Sequence, residues 1–372
     1  MIVGIDARTY ELDMNKILWI RDYIQGYIER NPKNVYHIFV TSHLFTLLPK
    51  GKNIHIIQTK SGMHNMLQEF SISKYLYQEK IESFISFENP IPRIVAKRSI
   101  LILNHLTPIF YPNRNERSVF HRYLTKKRLL TMIERAKKIL VPHTSIRHDI
   151  TEICNVSDEK ILVSSPFRNE VRSIHSTAIY NKISLQFNIL SWYFLYDGWW
   201  GAHMNLIRMI RAYKWYIDKN SSPLDLVILG RENEDYKDIR TLISTLWLQK
   251  HIHILGILGE EETITLYENA KGYLCTPLYL WWHPLLERIN QYNLPSVLSD
   301  LPVIRESIKA RDNVFYIKPN KEETIIQWIE DCHTSIFSEK TQRKDTEKHL
   351  KNENNSNLDT LKKIAWETCK RA

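Results

Sequence analysis

The residues best placed to do chemistry lie in one stretch, residues 273–287. An apolar run at 273–276 ends at Pro277, an aromatic loop follows at 279–283, and Pro284 opens a helix. Proline suits a first helical position, because its fixed φ fits the helix and its missing N–H is not needed there. The backbone N–H groups that follow, beginning at Leu285 and bordered by His283, are free at the helix start, where partial positive charge gathers. Such a start binds a diphosphate or a sugar hydroxyl. Glu287 falls in the first turn or just after it and can accept hydrogen bonds from a ribose.

That loop needs elements to hold it. Residues 273–276 suit a buried parallel strand. Leu294 and Pro295 stop the helix, and 296–300 read as the next strand. Strand, loop, helix and strand together put the loop at the carboxyl end of a strand, where open α/β sheets bind their ligands. The same alternation runs through the chain. Strands are predicted at 2–6, 36–40, 54–58, 84–87, 99–103, 161–164 and 226–229. Helices are predicted at 16–29, from the spacing of Ile17, Ile20, Ile24 and Ile28, and at 61–80, 123–136 and 323–331. The second half opens at Tyr193, and its first strand leads to Gly198; Gly230 and Arg231 close the strand at 226–229.

Composition bounds the function. A chain of 372 residues is long enough for two domains of roughly 100–200 residues each. No run approaches the ~20 apolar residues of a membrane span, and the opening, Met-Ile-Val-Gly-Ile-Asp, reads as a strand rather than a secretory signal. Four cysteines without metal spacing fit a reducing compartment, so a cytoplasmic protein is expected. The net charge of +10 admits nucleic acid, anionic lipid or phosphorylated partners. No RNA-binding signature accompanies it, so no nucleic-acid partner is expected. The charge reads either as an ordinary solvated surface or, as the preferred functional reading, as attraction to the inner face of a membrane bearing a lipid-linked acceptor, with peripheral contact. The basic run Lys126, Lys127 and Arg128, on the helix predicted at 123–136, reads either as a solvated face or as a lipid-facing one.

The order of motifs resembles glycosyltransferase family 4. The stretch at 277–298, with Pro284, Leu285, Leu286 and Glu287 followed by Leu294, Pro295, Ser296 and Val297, looks like that family's donor-site motif. Gly4, Asp6, Ala7 and Arg8 resemble its opening. Leu106, Thr107 and Pro108 resemble a turn whose histidine lies near the reacting sugar, and His105 falls one place from it. Residues 138–150 resemble a strand-turn-helix of the family, and Trp366 and Glu367 its closing helix. Residues 196–206 align with a donor loop, matching at Gly198 and Asn205. The family's diphosphate-clamping Arg and Lys fall there on His203 and Met204. The first of its two motif glutamates falls on Tyr279 or Leu280.

The resemblance implies a GT-B fold, an α/β architecture of two Rossmann-like domains facing a cleft. It implies an acceptor-side domain at 1–170, a linker at 171–190 and a nucleotide-sugar-binding domain at 191–335. A charged mobile insertion would occupy 336–358, and a helix packing back on the first domain 359–372. The implied reaction moves a sugar from a nucleotide-sugar to a saccharide or lipid-linked acceptor, with retention at the anomeric carbon and no cofactor or essential metal. Glu287 would hold the ribose. The helix start at Pro284 and Leu285, with His283, would hold sugar or phosphate. Arg231, Gly198 and His203 would line the diphosphate, and His105 would act as acid/base or sugar-hydroxyl partner. The alternative is a non-catalytic homologue that binds sugar-nucleotide or partners an active transferase.

Glycine is scarce, with 10 residues where roughly 26 would be average at about 7%; tryptophan also numbers 10. Four places where the family carries glycine hold tryptophan: Trp19, Trp199, Trp247, and one of Trp281 and Trp282. Glycine serves such places by allowing positive φ or close approach of backbone. The coincidence points to a gene in which UGA encodes glycine; its competitor is a homologue whose site is closed by indoles.

Overall fold

Near-continuous apolar runs recur through the chain, and most become strands covered on both faces, as parallel sheets require. The strands at Ser83–Phe87, Ser99–Ile102, Tyr193–Asp197, Asp225–Leu229, Gly272–Cys275 and Ser296–Ser299 are buried at every position. A computed structural model describes residues 1–8, 14–41, 46–59, 66–111, 118–164, 173–230, 236–280 and 284–338.

In the first half the elements are β1 (Ile2–Asp6), α1 (Met14–Arg30), β2 (Val35–Val40), β3 (Ile54–Gln58), α2 (Met66–Gln78), β4 (Ser83–Phe87), β5 (Ser99–Ile102), α3 (Thr107–Phe110), α4 (Val119–Arg135), β6 (Lys138–Val141), α5 (Thr144–Cys154) and β7 (Ile161–Val163). The second half holds α6 (Thr177–Phe187), β8 (Tyr193–Asp197), α7 (Leu206–Lys219), β9 (Asp225–Leu229), α8 (Tyr236–Thr245), β10 (Ile252–Gly256), α9 (Glu260–Asn269), β11 (Gly272–Cys275), α10 (Pro284–Tyr292), β12 (Ser296–Ser299), α11 (Pro302–Ser307), β13 (Val314–Ile317) and α12 (Glu322–Ser338).

The chain divides into two compact units, one around each sheet. The first sheet runs β3-β2-β1-β4-β5-β6-β7 and the second β10-β9-β8-β11-β12-β13. Neighbouring strands pair in parallel throughout both. Both orders reverse direction beside their first strand, between β1 and β4 and between β8 and β11. Connections on either side of such a switch point leave on opposite faces and open a crevice at the carboxyl ends of the strands. These are the two Rossmann-like α/β units that the alternation of elements leads one to expect.

In the second unit, Met209, Ile210, Tyr213 and Tyr216 of α7 are buried, as are Ile325, Ile329 and Cys332 of α12. α12 lies against α7, β12 and β13. Burial pushes the Cys275 thiol up to about 12, with the Asp197 charge adding to it; Cys332 is raised by burial too. Neither thiol is a nucleophile.

The stretch expected as a linker, 171–190, carries helix α6. Ile179, Ile183 and Phe187 recur at four-residue spacing, Ile183 is buried, and the helix packs against α9 and β10. Ser176 caps it by accepting the N–H of Ile179 at 3.3 Å, and Asn188 closes it in the left-handed conformation. Ahead of it, Glu268 accepts the N–H groups of Ile174 and His175. The polar residues Asn181, Lys182, Ser184 and Gln186 among these three disguise the helix in the sequence. α4 also begins earlier than expected, because Ser118 accepts the Phe120 N–H at 3.2 Å and caps it there. α12 runs beyond 331 to Ser338, so 336–338 finish a helix. The rest of the expected insertion and the expected closing helix lie outside the described residues.

Candidate functional site

In the second unit, the loops at the carboxyl ends of β8, β9 and β11 are knitted together by hydrogen bonds. β8 ends at Asp197 and passes through Gly198, Trp199, Trp200 and Gly201 into a tight turn, Ala202–Met204. Asn205 then adopts a left-handed conformation, φ 60°, and α7 begins. Its side-chain amide donates to the carbonyls of Thr276 and Pro319, both at 3.0 Å. The Leu278 N–H donates to the His203 carbonyl at 2.7 Å, and Ser299 Oγ donates to the Pro277 carbonyl at 2.7 Å. The loop after β8 is thereby fastened to the loop that leads toward α10.

Gly230, at the end of β9, has φ +115°, and a Cβ there would lie 2.0 Å from the Gly198 carbonyl oxygen. No other residue fits, both for its φ and for that approach. Trp200 fills the space beside it: its indole is buried and donates to the Leu229 carbonyl at 3.2 Å.

His203 and Met204, which fall where the family resemblance places a cationic clamp, are both buried. Met204 lies in the hydrophobic core, with its methyl 3.0 Å from where a Cβ on Gly198 would stand. It is a packing residue. Glu287 is half-buried in the first turn of α10. Pro284 and Leu285 open that helix as expected. Arg231 and His283 lie outside the described residues, as do the side chains of Pro284 and Leu285.

The sequence reading missed a cluster beside this loop. Asp197, the last residue of β8, accepts from the Tyr267 hydroxyl at 3.0 Å and from Arg288 Nη1 at 3.4 Å. The Tyr273 hydroxyl donates to its backbone carbonyl at 2.8 Å. The Arg288 guanidinium stands over the Tyr267 ring, 5.5 Å from its centre. Burial works against the Arg288 charge, but Tyr267 and Asp197 outweigh it and raise its pKa. Burial, joined by the Asp197 charge, holds the Tyr267 phenol well above its ordinary range. The available signal was an aspartate inside a fully apolar strand, with an arginine next to Glu287.

In the first unit the switch point also gathers polar groups. Arg8 Nε and Nη2 donate to the two carboxylate oxygens of Asp6 at 2.8 and 2.7 Å, and both side chains are buried. The Asn89 amide donates to the carbonyls of Arg8 and Phe87 at 2.9 and 2.8 Å. Glu88 takes φ 55°, uncommon for a residue with a side chain. Its Oε1 accepts the Asn104 N–H at 3.0 Å and lies 3.8 Å from His105 Nε2. His105 thus stands at the carboxyl end of β5 with a carboxylate beside one ring nitrogen. Beneath, Trp19 of α1 is buried edge-on to Phe87 at 5.7 Å and tilted against Tyr23 at 5.8 Å. Among the described residues, no group of three His, Cys, Asp or Glu comes together as a metal site.

Similar geometries occur in solved structures. A glycosyltransferase from Rickettsia africae superposes with a TM-score of 0.72 at 13% identity, over 100% of this chain and 99% of that one. Anabaena HepE, in complex with UDP and glucose, gives 0.70 at 13% identity, over 100% of both chains. WaaG, a glycosyltransferase of lipopolysaccharide biosynthesis, gives 0.66 at 11% identity, over 98% of this chain and 99% of WaaG. No protein-family model and no curated sequence matches the chain. The likeness is one of fold: two parallel-sheet Rossmann-like units, as in GT-B glycosyltransferases.

Proposed function

We propose that this protein is a retaining glycosyltransferase of family 4 type, moving a sugar from a nucleotide-sugar to a saccharide or lipid-linked acceptor in cell-surface glycan synthesis. One observation carries the reading. In the second unit the loops after β8, β9 and β11 are bonded together at the switch point, next to the helix start that bears Glu287. Gly230 packs against the Gly198 carbonyl there, which keeps side chains out of the two loops, and the helix start beside them is of the kind that binds a diphosphate.

In this reading the start of α10 at Pro284 and Leu285, with His283, receives the diphosphate and sugar. Glu287 accepts from the ribose hydroxyls, and Arg231 supplies the cation that Met204 cannot. Gly198 keeps the loop thin, and His203 borders it. His105 is the hydroxyl partner or acid/base, its imidazole oriented by Glu88. Rate enhancement comes from holding the leaving diphosphate and orienting the acceptor, without an essential metal. Among the described residues, no helix is long and apolar enough to cross a membrane, and the protein is proposed to work in the cytoplasm, touching the membrane from outside its hydrocarbon.

The test is calorimetry with nucleotide diphosphates and nucleotide-sugars, followed by donor hydrolysis. HepE was solved with UDP and glucose, so UDP-sugars are tried first. Binding with slow hydrolysis supports a transferase; no binding by any nucleotide removes the donor site. A second reading is favoured by the burial of Met204 and His203 where a clamp would be cationic: a non-catalytic sugar-nucleotide binder or partner subunit. It is distinguished by tight binding with no turnover.

A further inference from the structure

The most exposed apolar side chains of the first unit's described helices include a set at one end of α4. Val119 is 81% exposed, Phe120 64% and Tyr123 58%. The second half of the same helix is ordinary: Leu129, Met132 and Ile133 are buried against the sheet. The helix therefore beds its carboxyl half in the core and presents its first turns to solvent. α3 packs against it and adds Phe110, also exposed.

The charge on these turns has one sign. From Val119 to Arg128 there are four basic residues, Arg122, Lys126, Lys127 and Arg128, and no acidic one. All four are exposed. Val119, Tyr123, Lys126 and Lys127 are spaced to share one face of the helix, and Lys127 Nζ stands 5.8 Å from the Tyr123 ring centre. A solvated face would not carry three large apolar side chains, and a patch for a neutral apolar partner would not be ringed by four cations.

We infer that the first turns of α4 dock on an anionic lipid surface. Phe120, Tyr123 and Val119 would enter the headgroup region while the lysines and arginines meet lipid phosphates, the arrangement of interfacial amphipathic helices. Aromatic rings with a polar end favour that depth. The inference names where the protein would meet a membrane carrying the proposed acceptor and rests on that reading only for its purpose; lipid binding is measured without turnover.

The experiment is co-sedimentation of the full chain with vesicles of phosphatidylglycerol and phosphatidylcholine, and with vesicles of phosphatidylcholine alone. Binding is expected only to the anionic vesicles and is expected to weaken at high salt. The pairs K126E/K127E and F120S/Y123S should each lower partitioning about tenfold or more, since each cation near such a surface is worth roughly fivefold. Circular dichroism checks that the variants fold. Hydrogen exchange on the unaltered protein gives an independent readout, with vesicle-induced protection expected over 119–128. Equal binding to neutral vesicles, unchanged partitioning in both folded variants, or protection elsewhere would overturn the inference. So would tighter binding of single-stranded RNA than of anionic vesicles, lost in the same charge-reversal variant. Calorimetry with UDP-sugars on the same variants separates the surfaces: unchanged donor affinity with lost lipid binding isolates α4, and absent donor binding with intact lipid binding counts only against the transferase.

Discussion

Arg288 Nη1 donates to Asp197 Oδ2 across 3.4 Å, and this contact ties the helix that bears Glu287 to the end of β8. The pair sits among Tyr267, Tyr273 and the hydrophobic core. Asp197 belongs to a strand whose other four residues are Tyr193, Phe194, Leu195 and Tyr196, all buried. A carboxylate there is tolerated because three donors reach it or its carbonyl, and a guanidinium one residue beyond Glu287 is tolerated because that carboxylate answers it.

Removing one member should therefore hurt more than removing both. Arg288→Ala or Asp197→Ala is expected to destabilise by up to about 3–5 kcal/mol, the range for breaking a buried charge pair, while the double variant recovers part of that loss. Urea denaturation of the four proteins in the cycle measures it. Additive losses would show that the two charges act separately and that the contact does not position α10.

Acid should loosen both units before it protonates the carboxylates. Burial lowers the His37 pKa below its ordinary 6.5, helped by His55 and partly offset by Glu79. His37 is stacked on His55 at 4.8 Å and bonded to the Tyr75 hydroxyl at 2.8 Å. Burial lowers His333 in the second unit too, with the Ser222 backbone working the other way. A lowered folded pKa means that the unfolded chain takes up more protons. Stability is then complete above the unfolded value of about 6.5 and is lost as pH falls from there through the folded values. The midpoint of thermal unfolding is expected to drop between about pH 7 and 5, with a shallower drop in His37→Phe. A flat profile over that interval would contradict it.

What the sequence made legible follows from how each feature is encoded. Strands such as β8 and β11 are short apolar runs bounded by Gly or Pro, a local signal, and the alternation with helices orders them into parallel sheets. Glu287 is legible because Pro284 marks the helix start. The Asp197–Arg288 contact joins residues 91 positions apart, and no local pattern announces a partner at that distance. The Glu88–His105 approach depends on strand order, since only the pairing of β4 with β5 sets those two loops side by side. α6 is hard to read because its apolar residues do not fall on one face, Leu185 being exposed, and the face formed by Ile179, Ile183 and Phe187 is visible only once α9 lies against it.

Among the described residues, Trp247 is the tryptophan whose backbone contradicts its side chain. It follows α8 with φ 58°, its N–H bonded to the Ser244 carbonyl and that of Leu248 to the Ile243 carbonyl. That is the Schellman ending, whose left-handed position favours glycine. Of the other non-glycine residues with positive φ among the described ones, four are asparagine, Asn155, Asn188, Asn205 and Asn293, and the rest are Lys80, Glu88 and His175. The indole is 84% exposed, so burial offsets none of the strain. Trp19, by contrast, is buried among aromatic rings. Trp247→Gly is expected to raise stability by about 1 kcal/mol, and Trp247→Ala to leave it nearly unchanged. If the glycine variant is no more stable, the left-handed turn is not strained. Codons supply a second check: UGA at Trp247 and UGG at Trp366 would fit glycine decoding, and UGG at both would end it.

Glu287 is the residue on which the donor reading stands. It is half-buried at the start of α10, and a carboxylate there both suits the helix dipole and can accept from two ribose hydroxyls. Hydrogen bonds to a charged group contribute about 1.5–3 kcal/mol, so Glu287→Ala should weaken nucleotide-diphosphate binding roughly tenfold to a hundredfold. Glu287→Gln, which keeps one acceptor, should fall between. Both losses should appear with a 2′-deoxyribonucleotide as a much smaller change, because one of the hydroxyls being held is already missing. Glu323→Ala, which removes the same charge from the exposed start of α12, should leave binding unaltered. Isothermal calorimetry on the three variants decides the matter. If Glu287→Ala binds as tightly as the unaltered chain, the carboxylate does not hold a ribose, and the start of α10 has to find another partner.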